Sequence, residues 1–259
     1  MGLGAVAGLI AGLFGVGGGL VIVPVLLWAF TAQGFDPTHL THLAVGTSLA
    51  TIIVTSISAV HAHHQRGAVR WVLVQQLAAG LLIGAFAGAK LAKMLPASTL
   101  QLIIGGFALW VSWRMFKGHT AQQQAECLPS LPAQVGASGV IGVASAIFGI
   151  GGGSLTVPYL SRYGVPMQQA VATSSACGLP IAVAGALGFA LFGSTVSHLP
   201  AGAVGFVHVP AFIGISVASV LTAPWGARLA HRLPAATLKR LFSILLLVVG
   251  LVFIAKSQG

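Results

Sequence analysis

The chain has 259 residues, 56% of them apolar and 5% charged, with 12 Lys/Arg against 2 Asp/Glu. A soluble domain carries roughly a quarter of its residues as charges, so a soluble fold is excluded at once. The net charge of +10 would suggest nucleic acid in a soluble protein. Here the basic residues sit singly or in pairs at the ends of apolar segments, where helix ends meet lipid headgroups. Nucleic-acid binding is set aside, and the lipid bilayer is the expected partner.

The first apolar segment, residues 3–30, is interrupted by Gly15, Gly17, Gly18 and Gly19. It lacks a basic n-region, and a near copy recurs mid-chain, so it reads as mature structure rather than a signal peptide. Its two arms of about 12 residues each reach roughly 18 Å, close to the midplane of a ~30 Å hydrocarbon core. Three continuous spans follow, at about 40–60, 71–95 and 99–116. A polar stretch, 118–134, holds His119, a Gln run, Glu126 and Pro129. A second broken segment, 135–160, contains Gly149, Gly151, Gly152 and Gly153, and spans at about 167–192, 207–229 and 237–255 complete the chain. No Lys, Arg, Asp or Glu lies in 1–35, 127–161 or 163–227.

The two halves are copies. GLIAGLFGVGGGLVIVP (8–24) matches GVASAIFGIGGGSLTVP (142–158). AVGTSLA (44–50) matches AVATSSA (170–176), and GAKLAKMLPASTL (88–100) matches GARLAHRLPAATL (226–238). Three blocks in one order define a first transmembrane repeat, 1–117, a polar linker, 118–134, and a second repeat, 135–259. The expected fold is an all-α membrane protein of two homologous halves, each a glycine-broken segment plus three transmembrane helices.

The positive-inside rule arbitrates how the broken segments run. If they cross, five Lys/Arg face seven; if they are re-entrant hairpins, nine face three (Lys90, Lys93 and Lys256). The hairpin reading gives a clear cytoplasmic side and makes the halves inverted repeats.

Helix breaks at bilayer depth free N–H and C=O groups that lipid cannot satisfy, so they persist where they line a cavity. Glycines directly before a half-helix leave its first amides bare, which is an anion site. The bland reading is close helix packing, and Gly-xxx-Gly spacing at Gly80, Gly84 and Gly88 fits it. Repetition of the glycine run in both halves, each followed by Val-Pro, favours a ligand-lining role for Gly15, Gly17, Gly18, Gly19, Gly149, Gly151, Gly152 and Gly153. The second repeated block adds hydroxyls: Thr47 and Ser48, against Thr173, Ser174 and Ser175. Their alternative is back-bonding to the preceding turn. A nucleotide site is not supported, because no strand–helix unit or acidic partner accompanies the glycines.

The acids Asp36 and Glu126 both fall outside the spans, which argues against a cation site and a carboxylate proton relay. His61, His63 and His64 cluster beside Arg66. They read first as an interfacial basic patch, with anion attraction or titration by His61 and Arg66 as the alternative. Metal binding lacks carboxylate or cysteine ligands there. Cys127 and Cys177 form no metal or disulfide framework, and no cofactor is expected. The tryptophans lie mostly near span ends, as interface anchors do.

These motifs, together with HAHHQRGAV (61–69) and LPAGAVGFVHVP (199–210), resemble the TauE/SafE family of sulfite/organosulfonate exporter-like permeases, also called the toluenesulfonate uptake permease family. The resemblance covers nearly the whole chain. It implies a secondary transporter of the bacterial inner membrane with small sulfur-containing or organic anions as substrates. The glycines of both breaks and Thr47, Ser48, Thr173 and Ser174 match the family's recurring positions; Ala172 stands where the first half has Gly46. The leading reading is anion transport by alternating access. A passive anion channel and a membrane enzyme or non-transporting partner protein are the other classes, the enzyme lacking any nucleophile–base pair or metal quartet. No motif fixes oligomeric state; a homodimer is compatible with the sequence.

Overall fold

The computed structural model describes residues 19–117, 126–196, 199–232 and 235–257. Gly15, Gly17 and Gly18 of the first break, and His119 of the linker, lie outside them. The described residues form nine helices: α1 Gly19–Ala32, α2 Pro37–Gln65, α3 Trp71–Met94, α4 Ala97–Lys117, α5 Leu131–Phe148, α6 Gly153–Arg162, α7 Met167–Gly193, α8 Val209–Arg232 and α9 Ala235–Ser257. A small antiparallel hairpin, β1 Ala203–Val204 with β2 Val207–His208, sits between α7 and α8. Helices α2, α3, α5 and α7 are long and apolar enough to cross a bilayer, and α4, α8 and α9 carry shorter apolar stretches. The chain is a multi-pass, all-α membrane protein.

Local chemistry sets the helix ends. Asp36 caps α2 by accepting the Thr38 N–H at 2.8 Å, with Pro37 in the first turn, where its missing N–H costs nothing. Leu95 ends α3 in an extended conformation, as a residue before proline prefers. Helix α6 begins at the last glycine of its run and carries Pro158 five residues on; α1 is described from Gly19, with Pro24 at the matching place.

Two boundaries differ from expectation. Helix α5 begins at Leu131, inside the stretch read as linker, because Pro132 is tolerated in the first turn after Ser130. The arms of the second broken segment are therefore unequal, 18 and 10 residues. Residues 207–208 pair as a strand rather than opening a span; Gly202 and Gly205 take positive φ, 82° and 54°, and turn the chain back before Val209.

Small residues set the closest packing. Gly80, Gly84 and Gly88 of α3 lie against Val135, Gly139 and Val143 of α5 so tightly that a Cβ at any of them would meet backbone. Glycines let helices approach in this way without a side chain between them. Gly105 of α4 and Gly250 of α9 make a second such seam. The main core joins Ile22, Phe30, Leu43, Leu49, Phe189 and Phe206. Outward, Ile83, Val140, Leu187, Val217 and Leu251 are exposed, an apolar belt that suits lipid. At one end of the second broken segment the Cys127 N–H donates to the Tyr163 carbonyl at 3.2 Å. The chain just before α5 and the chain just after α6 thus run side by side.

Candidate functional site

The second glycine run forms a tight buried turn between α5 and α6. Gly149 closes α5 in the left-handed region (φ 66°), and the Ile150 N–H returns to the Ser145 carbonyl at 3.0 Å. Gly152 precedes α6 with φ 76° and no side-chain cap. Only glycine adopts such φ values without strain. A Cβ at Gly149 would also lie 2.7 Å from Val23 Cγ2. Residues 149–152 are buried. The Leu155 and Thr156 N–H groups both turn back to the Gly152 carbonyl. The N–H groups of Gly151, Gly152, Gly153 and Ser154 have no acceptor among the described residues. These bare amides stand at the positive end of the α6 dipole, the arrangement that attracts anions.

The first break reaches the same place. A Cβ at Gly19 would collide with the Gly149 carbonyl and lie 2.7 Å from Ile150 Cα, so the last glycine of the first run packs directly on the second turn. Ser48 joins them, donating to the Gly149 carbonyl at 2.9 Å.

The remaining repeated hydroxyls are occupied differently. Thr47 Oγ1 accepts the His208 N–H at 2.9 Å, and Thr173 Oγ1 accepts the Arg70 N–H at 3.1 Å. Ser175 back-bonds to the Val171 carbonyl. Ser174 Oγ is buried with no partner. Two unpartnered hydroxyls that the sequence reading did not single out, Ser145 and Thr156, are fully buried beside the turn. They stand at non-identical positions of the two repeats, and that difference was their only signal.

His61 and Arg66 are not brought to the turn. His61 accepts a hydrogen bond from Gln65, and Arg66 caps the end of α2. Thirteen residues separate Ser48 from His61, about 20 Å along a helix. His208 is buried, its ring edge-on to Phe30 and Phe35 with centroids 5.3 Å from each. Burial lowers its pKa, partly offset by a hydrogen bond with the Ala201 carbonyl. Gly46 has a packing reason, since the Phe206 carbonyl of the hairpin lies against it. Among the described residues, no three His, Cys, Asp or Glu side chains gather as a metal site.

Residues 1–253 match the family model described as sulfite exporter TauE/SafE. The chain belongs to that family. A probable membrane transporter protein of Haemophilus influenzae is 33% identical over 250 residues, covering 96% of this chain and 94% of the relative. A probable membrane transporter protein of Methanocaldococcus jannaschii is 25% identical over 256 residues, covering 96% and 92%. The probable inner membrane transporter protein TsaS of Comamonas testosteroni is 26% identical over 209 residues, covering 80% and 81%. No solved structure matches the chain. TauE/SafE membership and a multi-pass helical fold together make this chain a membrane transporter.

Proposed function

We propose that this transporter is a secondary carrier of a small oxyanion, sulfur-containing or organic, working by alternating access in the inner membrane. The observation that carries the reading is the set of amides at 151–154, without acceptors among the described residues, at a half-helix N-terminus where Gly151 and Gly152 are buried. The proposed binding region also takes in the other glycines of both breaks and two hydroxyls, Ser48, which donates to the Gly149 carbonyl, and Ser174, which is buried without a partner. The family description names sulfite export, and the TsaS relative is named for the inner membrane; both fit a compact oxyanion and that location.

The halves are read as inverted repeats, with the second broken segment re-entrant. The Cys127–Tyr163 hydrogen bond supports this, since a crossing segment would put those residues on opposite faces. Lys93 Nζ donates to Thr195 Oγ1 at 2.8 Å, a pair the hairpin reading places on one face and a crossing segment would place on opposite faces.

The test is an anion panel in proteoliposomes: sulfite, thiosulfate, methanesulfonate, toluenesulfonate, sulfoacetate and small carboxylates, with and without a pH gradient. Saturable flux with counterflow is expected. Flux that neither saturates nor exchanges would make the protein a channel, and absence of flux for every anion would remove the reading.

A further inference from the structure

The two glycine runs are alike in sequence but not in the residues that flank them. The displacement that carries Gly19 to Gly153 carries Ala11 to Ser145, Leu20 to Ser154 and Ile22 to Thr156. Three aliphatic positions of the first half are hydroxyls in the second. Two of those hydroxyls, Ser145 Oγ and Thr156 Oγ1, are wholly buried and unpartnered.

Their position is specific. Ser145 stands in the last turn of α5 and Thr156 in the first turn of α6. A Cβ built on Gly152 would lie 3.3 Å from Thr156 Oγ1 and 3.8 Å from Ser145 Oγ. Both hydroxyls therefore border one point, at the mouth of the α6 N-terminus. Buried hydroxyls in helices ordinarily return to the carbonyl four residues back, and Thr51 and Ser175 do so here. Ser145 and Thr156 forgo that bond at a cost, beside four N–H groups that also lack acceptors among the described residues.

We propose that Ser145 and Thr156, with the amides of 151–154, form a single oxyanion cradle on the second break, and that the first break, with Ala11 and Ile22 at the matching sequence positions, has no hydroxyls there from which to build a second. This rests on the anion-transport reading and makes its site asymmetric. The cradle's polar groups are N–H and O–H donors, so the head group it takes is a deprotonated oxyanion presenting at least two oxygens. Its walls are aliphatic. A Cβ on Gly151 would lie 2.9 Å from Ile52 Cγ2, and one on Gly152 would lie 2.5 Å from Ile181 Cδ1. The head is therefore compact, and its non-oxygen side faces Ile52 and Ile181.

The test uses wild type and variants in proteoliposomes, with sulfite, methanesulfonate and toluenesulfonate as probes. Anion-induced thermal stabilisation in detergent is the second readout. Ser145→Ala and Thr156→Val are each expected to raise KM about tenfold, the factor set by losing one hydrogen bond to a charged group, and to shrink the thermal shift. Thr156→Ser keeps the hydroxyl and should retain wild-type KM. Thr55→Ala, on a back-bonded hydroxyl of α2, should change neither readout. Should Ser145→Ala fail to fold, Ser145→Cys preserves the volume and weakens the donor. Wild-type flux together with unchanged KM in Ser145→Ala and Thr156→Val overturns the cradle and leaves the transport reading standing. Variants that unfold at lower temperature yet keep KM assign the hydroxyls to a structural water, which also overturns it. A wild type that neither moves nor is stabilised by any probe removes the transport reading, and the cradle with it.

Discussion

Thr47 Oγ1 accepts the backbone N–H of His208 at 2.9 Å, across 161 positions of sequence. Its repeat counterpart, Thr173, accepts the N–H of Arg70 at 3.1 Å. The displacement that carries Gly88 to Gly226 also carries Arg70 to His208. The two bonds are thus the same bond made twice with the halves exchanged: a threonine from one half closes the start of a long helix in the other.

That relationship predicts unequal costs. The His208 N–H bond is buried, whereas the Arg70 N–H bond is only partly so. Thr47→Val leaves a buried donor without an acceptor, worth about 1–3 kcal/mol, while water can replace the acceptor lost in Thr173→Val. Thermal unfolding in detergent should show Thr47→Val lowered by several degrees and Thr173→Val by less. Equal melting of Thr47→Val and wild type would remove the structural role given to that hydroxyl.

The glycine seam makes a second contrast. A Cβ at Gly84 would strike the Gly139 carbonyl and lie 2.9 Å from its carbon, both backbone atoms. Gly106, in α4, has nothing within 4 Å of such a Cβ. Gly84→Ala must separate α3 from α5 and should destabilise by about 1–3 kcal/mol. Gly106→Ala should be neutral or stabilising by up to roughly 1 kcal/mol, from helix propensity alone. Folded yield on size exclusion and thermal unfolding distinguish the two, and a harmless Gly84→Ala would contradict the packing.

Much of this architecture was legible beforehand, for identifiable reasons. Helices α2, α3, α4 and α7 follow from uncharged runs ended by prolines or basic residues, and the expected spans fall within a few residues of them. The second glycine break was legible because bare glycines at bilayer depth have few uses. The hydroxyls were less so. Thr47 and Thr173 read as ligand groups from the sequence; each also accepts a backbone N–H from the other half, and no periodicity reports contacts across 103 or 161 positions. Ser145 and Thr156 carry no repeat signal, because repeats are recognised by identity and these two positions differ between the halves. The β1–β2 hairpin, with two-residue strands, is too short for alternation to register.

His208 ties stability to pH. Its Nδ1 accepts the Ala211 N–H at 3.3 Å, which only the neutral ring can do, and burial lowers its pKa below the ordinary value near 6.5. The unfolded chain therefore binds the proton first as pH falls. Stability from this group is complete above about pH 6.5 and is lost as pH drops toward the lowered folded value. His208→Gln retains an acceptor but does not titrate. Between pH 7.5 and 5.5 the melting temperature of wild type should fall more than that of the variant; parallel slopes would show that another group is responsible.

Cys127 and Arg162 provide a direct test of how the second broken segment runs. Both are exposed, Cys127 is a free thiol, and Cys177 is buried. Cys127 N–H is bonded to Tyr163, the neighbour of Arg162, so the two ends of the segment share a face if it re-enters. A crossing α5–α6 unit would separate those ends by the ~30 Å hydrocarbon core, so the 3.2 Å hydrogen bond favours re-entry. On the re-entrant reading, nine basic residues against three would put the shared face in the cytoplasm. Native Cys127, and Arg162→Cys in a Cys127→Ser background, should therefore both react with an impermeant maleimide in inside-out vesicles and both resist it in intact spheroplasts. Reaction from opposite sides would replace the hairpin with a crossing segment and cancel the inversion of the two halves.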